Sequence, residues 1–362
     1  NTRIIAEPWS TAYDGSSQYP MSANDPTYGW SEWNANFRDF WRSFLNDDFW
    51  ALNSSQVAAD FGAAVTATRE RYAWTGKKPY HLVNFVTAHD GFTMFDLFSY
   101  TEKENGCGPL NPICCDDACS EWCDPTSGDN DNHSRSWGDE WTKRQMMRNA
   151  FVGMMISHGS PMMLGGDEWM RTQLGNNNAY STSADNSYNW HDWGAWRADA
   201  TRVRMHDFVR KLIRFRKAHD YAFAPATYEG AAPFAWKNPS NQDMQPDDWG
   251  GRAVMQHYYD PVAGPELLIL INMDPLLSGL NPEEVGLVPV PQSPLGQSTT
   301  ELHMRGLGIC ATTTDPDKIR AAWRFIRFVG SPEAEKVLIR TYVENGYGSF
   351  INPEKLRQHG FD

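Results

Sequence analysis

Three short apolar segments, each ending in a polar cluster, constrain the fold of this chain more than any other feature. They are Arg3–Ala6 followed by Glu7, Leu82–Thr87 followed by His89 and Asp90, and Pro161–Leu164 followed by Gly165–Glu168. Short apolar runs bounded by Gly, Pro and charge are typical of buried strands. Each polar cluster lies just past the carboxyl end of its strand, where parallel α/β barrels hold their catalytic groups.

Helical patterns lie between and after these strands. Thr142 and Gln145 predict a capping box, and apolar residues then recur at helical spacing up to Gly159, which can take the left-handed cap. A second amphipathic helix is predicted from Met205 to Phe215. Strands that alternate with helices indicate a parallel sheet.

The pattern changes from residue 225 onward. Pro and Gly punctuate apolar runs at Ala253–Tyr259 and Leu267–Ile271, which indicates an appended antiparallel β domain. Beyond this domain, a capping residue precedes Pro at two places, which predicts helices over residues 317–329 and 333–344.

Charge and tryptophan content also change along the chain. The formal net charge of -13 argues against a nucleic-acid partner, because a phosphate backbone needs a basic face. Residues 278–362 hold 9 basic and 10 acidic side chains against 23 and 35 before them, and fifteen of the sixteen Trp precede residue 278. A boundary near residue 278 is therefore expected. No apolar run reaches the roughly 20 residues that span a bilayer, so no membrane partner is expected.

Five of the six cysteines lie in one acidic window. They are Cys107, Cys114, Cys115, Cys119 and Cys123. Their spacing lacks paired C-x-x-C units, so disulfides are favoured over free thiols or a metal site. Disulfides would fit a secreted or periplasmic protein. No metal or cofactor is predicted elsewhere in the chain.

Glycoside hydrolysis needs two carboxylates that flank the scissile bond. One protonates the leaving oxygen, and the other attacks the sugar carbon or activates water. Glu7 and Asp90 occupy equivalent places after two of the predicted strands. Each also has an ordinary structural alternative, since Glu7 could lie in a surface turn and His89–Asp90 in a hydrogen-bonded turn.

The order of the motifs favours the catalytic interpretation. The motifs are Ile4–Trp9, Gly29–Asn34 with Phe37–Asp39, Val83–Thr93, Gly159–Glu168, Arg171–Gln173 and Asn176–Tyr180. In this order, over about residues 1–275, the chain resembles isoamylase-type glycogen- and starch-debranching enzymes of the α-amylase superfamily. The resemblance implies hydrolysis of α-1,6 branch linkages in glycogen, amylopectin or limit dextrin, with net retention.

The resemblance also implies a role for individual residues. Glu7 would be the general acid/base, and Asp90 would hold sugar hydroxyls and stabilise the oxocarbenium-like transition state. His89 would hydrogen-bond the same sugar, and Asp167 with Glu168 is assigned to structure. Further contacts to the branched glucan would come from Trp9, Arg171, Asn176, Asn177 and Asn178.

One part of the family pattern is missing. The nucleophilic Asp of these enzymes lies on the strand before the general-acid strand, in a segment that would precede Asn1. The expected fold is therefore α/β, with the C-terminal half of a (β/α)8 TIM barrel over residues 1–222 and a partial β domain over 223–277. We expect this chain alone neither to fold well nor to hydrolyse glucan. The alternative function is a non-catalytic glucan-binding protein that uses Trp platforms.

Residues 278–362 resemble something different. The segments that carry this second resemblance are Val285–Pro291, Gly306–Ile309, Ala322–Phe328, Ser331–Glu335 and Gly348–Pro353. They are similar to the late part of a sugar-binding protein of an ABC importer, which implies an α/β tail fragment. Either a natural fusion or a splice of two gene fragments would join the two pieces.

Overall fold

The computed structural model describes residues 4–8, 30–47, 56–73, 76–106, 124–179, 189–228, 234–258, 267–273, 307–311 and 340. The chain divides into two compact units, Asn1–Ala232 and Pro233–Asp362. Trp9 and the five clustered cysteines lie outside the described residues, as do the helices predicted over 317–329 and 333–344 except for residue 340.

The described part of the first unit contains a parallel sheet. Its strands are β1 (Ile5–Ala6), β2 (Ser31–Trp33), β3 (Leu82–Asn84) and β4 (Ser160–Pro161), adjacent in that order. The predicted parallel arrangement is confirmed, but the second and third predicted strands were too long at their carboxyl ends. Pairing stops at Asn84 on β3 and at Pro161 on β4. Strand β2 was not predicted, because its centre is a charged residue, Glu32, rather than an apolar run.

Helices connect and cover these strands. They are α1 (Ala35–Asn46), α2 (Val57–Val65), α3 (Arg69–Tyr72), α4 (Met94–Leu97), α5 (Glu140–Ile156), α6 (Ala195–Ala198), α7 (Ala200–Ala218) and α8 (Asp220–Phe223), with 3-10 turns at Pro79–His81 and Asp167–Trp169. The helix predicted from Met205 is confirmed as part of α7, and its buried side chains are Met205, Val209 and Leu212. Among the described residues, no helix combines the length and apolarity needed to cross a bilayer.

The start of α5 differs from the predicted capping box at Thr142. The N-cap is Asp139, whose carboxylate accepts a hydrogen bond from the Thr142 backbone N–H at 2.8 Å, and the helix begins at Glu140. An ionised carboxylate also interacts favourably with the positive end of the helix dipole, so Asp139 is the stronger cap. The prediction placed the helix start too late in the chain.

The end of α5 also differs from the prediction. The helix ends at Ile156, followed by an extended Ser157, so Gly159 is not its cap. Gly159 does have a φ of +110°, and a Cβ there would lie 2.8 Å from Asn84 Nδ2. Glycine is required because the backbone must approach β3 closely in a conformation that other residues rarely adopt.

Two buried asparagines join the strands at their carboxyl ends. Asn34, directly after β2, donates to Asn84 Oδ1 at 3.0 Å, and Asn84 in turn donates to the His158 carbonyl at 2.6 Å. Asn34 also caps α1 by accepting from the Phe37 N–H. Because buried amides must be hydrogen-bonded, this chain of contacts fixes the segments that leave β2 and enter β4.

The second unit contains an antiparallel sheet. Its strands are β5 (Phe234–Lys237), β6 (Ala253–Tyr258), β7 (Leu267–Asn272) and β8 (Leu307–Ala311), adjacent in that order, and a 3-10 turn at Pro246–Gly250 links β5 to β6. The two predicted antiparallel strands are confirmed as β6 and β7. The resemblance of the tail to an importer protein stays a prediction, since most of residues 278–362 lie outside the described residues.

Candidate active site

The parallel sheet brings the predicted acidic residues to one edge. Glu7 directly follows β1 and is exposed, whereas His89 and Asp90 lie in the turn that leaves β3, with His89 exposed and Asp90 half-buried. Only β2 separates the two strands, so their exits are about 10 Å apart at the usual strand spacing. A sugar ring and its neighbour could reach both residues at this edge.

Trp33 lies between these two exits. It ends β2, and its ring meets the His89 ring edge-on at a centroid distance of 5.9 Å and the Phe85 ring at 5.0 Å. Trp33 therefore orients His89 from the neighbouring strand. Trp33 belongs to a motif of the family resemblance but had no predicted role, because a ring contact across 56 positions leaves no local signal.

Arg42 supports the turn that carries Asp90 through a hydrogen bond to the segment before it. This α1 residue is buried, and its Nε donates to the Val86 carbonyl at 2.7 Å. A Cβ on Gly91 would lie 3.6 Å from its Nη2. Burial lowers the pKa of Arg42 to about 10 and the charge of Asp90 opposes that shift, so the guanidinium stays charged at neutral pH. Sequence reasoning missed Arg42 because it lies in the middle of an amphipathic helix.

Two buried aspartates cross-link the segments that leave β3 and β4. Asp167, after β4, accepts from Thr87 Oγ1 at 2.5 Å and from the Met94 N–H at 2.9 Å. Asp96 reaches in the opposite direction and accepts from the Thr172 hydroxyl and the Gln173 N–H. The predicted structural role of Asp167 agrees with this geometry, which locks the two exits together.

Burial changes the titration of both carboxyl groups. It raises the pKa of Asp167 to about 7, although the hydrogen bonds from Thr87 and Met94 and the charge of Arg171 lower it in part. It raises the pKa of Asp96 to about 6 against hydrogen bonds from Thr172 and Gln173. Burial disfavours the charged form of a carboxyl group, so the folded state holds these protons more tightly than the unfolded chain.

A pH dependence of stability follows from Asp167. The folded-state pKa of Asp167 exceeds the ordinary value of 3.8. The contribution of its bound proton to the free energy of unfolding is therefore full below about pH 4 and is lost as the pH rises through about 7. For one titrating proton, the free energy of unfolding changes by at most about 1.4 kcal/mol per pH unit. In Asp167→Asn, the amide reproduces the protonated carboxyl, accepting from Met94 and donating to Thr87. We expect wild type to lose stability relative to Asp167→Asn between pH 4 and 7.

Urea unfolding at four pH values across this range measures the difference. Asp131→Asn is the control, because the Asp131 side chain is 81% exposed and its removal should leave the pH slope unchanged. Parallel curves for wild type and Asp167→Asn would contradict the expectation and show that Asp167 is ionised in the folded protein.

The predicted substrate residues after β4 differ in their accessibility. Arg171 is buried, and its Nη2 lies 3.4 Å from Asn189 Oδ1. Asn176 and Asn177 are also buried, while Asn178 is partly exposed. Asn178 therefore has the most accessible side chain of this group.

Asn177 is held entirely by protein groups. Its side chain accepts from Asn105 Nδ2 at 2.8 Å and donates to the Asp129 carbonyl and to Asn132 Oδ1. The side chain is fully buried, and its predicted contact to sugar stays a prediction. Asn177 fixes the loop after β4 to residues 105 and 129–132. Within the described residues, no group of three or more His, Cys, Asp and Glu side chains is arranged to hold a metal ion.

Sequence comparisons identify relatives named as a glycogen operon protein and as isoamylases. The chain is 33% identical over 267 residues to a "Glycogen operon protein GlgX homolog" of Mycobacterium tuberculosis, which covers 68% of this chain and 33% of the relative. It is 34% identical over 233 residues to an isoamylase of Flavobacterium sp, covering 63% of this chain and 26% of the relative. The chain thus spans about a third or less of the length of these relatives. No protein-family model matches it.

The fold is similar to that of a pullulanase. The apo pullulanase of Paenibacillus barengoltzii superimposes with a TM-score of 0.51 at 20% identity, covering 86% of this chain and 43% of the pullulanase. At this identity the likeness concerns the fold alone. The sequence comparisons make this chain a relative of isoamylases and GlgX proteins.

Proposed function

We propose that this chain carries the acid-bearing part of a glycoside hydrolase that cleaves α-1,6 branch linkages in glycogen or amylopectin. One observation carries the proposal: Glu7 and the His89–Asp90 turn leave the same edge of one parallel sheet, separated by a single strand. The names of the relatives, isoamylase and GlgX, support the same chemistry. The substrate would be a branched α-glucan, with no role for nucleic acid or membrane.

Glu7 is the proposed general acid. It is exposed at the sheet edge, where the oxygen of a scissile glycosidic bond can approach it, and the buried Pro8 that follows fixes the backbone. In its protonated form it would give a proton to the leaving oxygen, and as a carboxylate it would then activate the incoming water. Net retention also needs a nucleophilic carboxylate, a role that we assign to no described residue.

Asp90 and His89 are the proposed sugar-binding pair. Asp90 would accept hydrogen bonds from sugar hydroxyls and stabilise positive charge at the anomeric carbon in the transition state. His89, held edge-on by Trp33, would hydrogen-bond the same ring. Arg42 would keep the Asp90 turn in place through the Val86 carbonyl. Arg171, Asn176 and Asn178 would shape the neighbouring subsite, with Trp9 as a further contact.

The proposal also specifies the architecture. The described parallel sheet would be the C-terminal half of a (β/α)8 barrel over residues 1–222, followed by the β domain of 223–277 and the tail of 278–362. The alternative function is a glucan-binding protein without turnover. The exposed Trp190 and Trp193 favour it, because such side chains bind sugars without taking part in proton transfer.

A hybrid enzyme tests the proposal. In Flavobacterium isoamylase, the aligned 26% would be replaced by the matching residues of this chain. Release of reducing ends from amylopectin and from linear amylose would then be measured, along with binding of a branched maltooligosaccharide. We expect release of reducing ends from amylopectin only. Glu7→Gln should lower the rate of that release about 100-fold or more and leave the affinity for the branched maltooligosaccharide unchanged. Glu140→Gln, an exposed Glu at the start of α5, is the matched control.

The possible outcomes separate the two functions. Full activity of the Glu7→Gln hybrid would overturn the role of Glu7. A folded hybrid that binds glucan without any turnover would favour the binding protein. A folded hybrid that neither binds nor cleaves glucan would overturn both.

A further inference from the structure

Two tryptophans of the first unit are unusually exposed. Trp190 is 63% exposed and Trp193 is 62% exposed, in the segment of residues 189–193 that precedes α6. Large apolar side chains normally lie in the core, and exposed groups of them mark binding surfaces. The proposed reaction at Glu7 and Asp90 uses neither residue.

A ladder of stacked rings holds Trp193 in place. Trp193 stacks on His191 at a centroid distance of 5.3 Å and an interplanar angle of 27°. His191 meets the Trp169 ring edge-on at 5.7 Å, and Trp169 stacks on the buried Trp196 at 5.9 Å. The exposed ring is thus fixed by a series of rings that leads into the core. A ring already ordered in this way loses little conformational freedom when a ligand binds.

The electrostatics of the ladder suit a neutral ligand. Burial lowers the pKa of His191 and Arg171 lowers it further, against the charge of Glu168, so the imidazole under Trp193 is neutral at physiological pH. Arg202 lies over the Trp169 ring, 6.0 Å from its centroid. The exposed Trp193 ring therefore stacks on an uncharged imidazole, and Asp192 lies between the two tryptophans in the sequence as a polar neighbour.

The segment is joined to the edge of the sheet that carries the proposed site. Asn189 accepts from Arg171 Nη2 and from Gln173 Nε2 at 3.1 Å, and it donates to the Ala179 carbonyl. A Cβ added at Gly165, in the turn directly after β4, would lie 3.9 Å from His191 Cε1. Since β4 neighbours β3, the exposed rings stand on the Asp90 side of the site.

We propose that Trp190 and Trp193 form an aromatic platform on which successive glucose rings of an α-glucan chain stack. Glucose presents flat faces of C–H groups with hydroxyls at the rim, which matches an apolar ring surface bordered by polar side chains. The platform would hold a chain that extends from the carboxyl end of β4. The choice of α-glucan rests on the proposed function, but binding to the platform does not require catalysis.

Binding of linear maltoheptaose to the purified chain, measured by isothermal titration calorimetry, tests the platform. We expect Trp193→Ala and Trp190→Ala each to weaken binding about tenfold or more, since truncating an aromatic anchor removes its contact area. Trp193→Phe should stay within about threefold, because the flat ring remains. Trp141→Ala is the matched control, a Trp that is 40% exposed on α5.

Glu7→Gln distinguishes this inference from the proposed function. If Glu7→Gln abolishes hydrolysis by the isoamylase hybrid but leaves the maltoheptaose affinity of the chain unchanged, while Trp193→Ala loses that affinity, the platform is supported whatever the reaction. If the chain binds maltoheptaose and both Ala variants bind as tightly as wild type, the platform is refuted. Absence of maltoheptaose binding by wild type also refutes it. Sedimentation velocity tests whether a second copy of the chain occupies this face instead. If wild type is a dimer and Trp193→Ala is a monomer with unchanged glucan affinity, the face is a self-association surface and the proposal is overturned.

Discussion

Trp41→Ala will lower the free energy of unfolding by about 3–5 kcal/mol, the usual cost of removing a fully buried aromatic side chain. Trp41 lies on α1 and is completely buried. Its ring contacts Phe37, Phe44 and Phe61 at centroid distances of 5.7 to 6.0 Å. Because these neighbours are themselves large and constrained, they cannot collapse into the space that the indole leaves, and a cavity remains.

The partner position on α5 shows how tightly this site is packed. A Cβ added at Gly153 would lie 2.4 Å from Trp41 Cη2, closer than real side chains come. In wild type, Gly153→Ala should therefore cost about 1–3 kcal/mol by overpacking, although alanine is favoured over glycine in a helix by about 1 kcal/mol. In the Trp41→Ala background the clash disappears, and the same substitution should become stabilising.

Chemical denaturation of the four proteins in this cycle measures the sign change. Gly165→Ala is the control, since the nearest atom to its added Cβ is 3.9 Å away and its cost should stay within about 0.5 kcal/mol. Equal effects of Gly153→Ala in both backgrounds would show that the helices do not meet at this point.

Lys77→Met will destabilise the protein by about 3–5 kcal/mol, because it leaves a charged partner in the core. Lys77 and Glu32 form an ion pair at 3.1 Å, with side-chain exposures of 0% and 1%. Lys77 also donates to the Trp30 carbonyl at 3.2 Å. Glu32 is the central residue of β2, so the pair lies within the parallel sheet itself.

Removing both charges should cost less than removing one. Breaking a buried pair leaves an uncompensated charge, whereas a neutral pair has no such penalty. Lys77→Met with Glu32→Gln should therefore be more stable than Lys77→Met alone. The comparison pair is Lys143–Glu140 on α5, at 3.0 Å but with Glu140 55% exposed. Lys143→Met should cost at most about 1 kcal/mol. Thermal and urea unfolding measure all four proteins, and a Lys77→Met effect as small as that of Lys143→Met would contradict the expectation.

Local patterns were sufficient where the relevant groups are close in the sequence. The apolar runs before Glu7 and before Asp90 predicted strands, and the parallel arrangement placed both residues at the carboxyl edge. The helical spacing of apolar side chains predicted α7, and the apolar runs that became β6 and β7 predicted an antiparallel sheet. In each case the signal is a run or a helical repeat of apolar residues that are neighbours in the chain, so the pattern is visible without the fold.

Local patterns failed where a distant residue decides the outcome. The strand β2 has a glutamate at its centre, and an ion pair with Lys77, which lies 45 positions further along, stabilises that buried charge. The predicted cap of α5 at Thr142 was displaced by Asp139, a stronger acceptor just upstream. The burial of Asn177 likewise depends on hydrogen bonds to Asn105 and Asn132, which lie far from it in the sequence.

The sequence by itself determined that a parallel sheet precedes an antiparallel one and that acidic residues follow the strands. Apolar patterning and chain order are properties of neighbouring residues, so they can be recognised without knowledge of the fold. Only the tertiary structure decided the cross-links of Asp167 and Asp96, the position of Arg42 below the Asp90 turn, and the ring ladder under Trp193. The cross-links and Arg42 join residues far apart in the chain, and the ladder reaches from Trp193 back to Trp169. The hydrogen bonds of Asp167, Asp96 and Arg42 are strong because they are buried, where an unpaired polar group is costly. That burial exists only once the chain has folded.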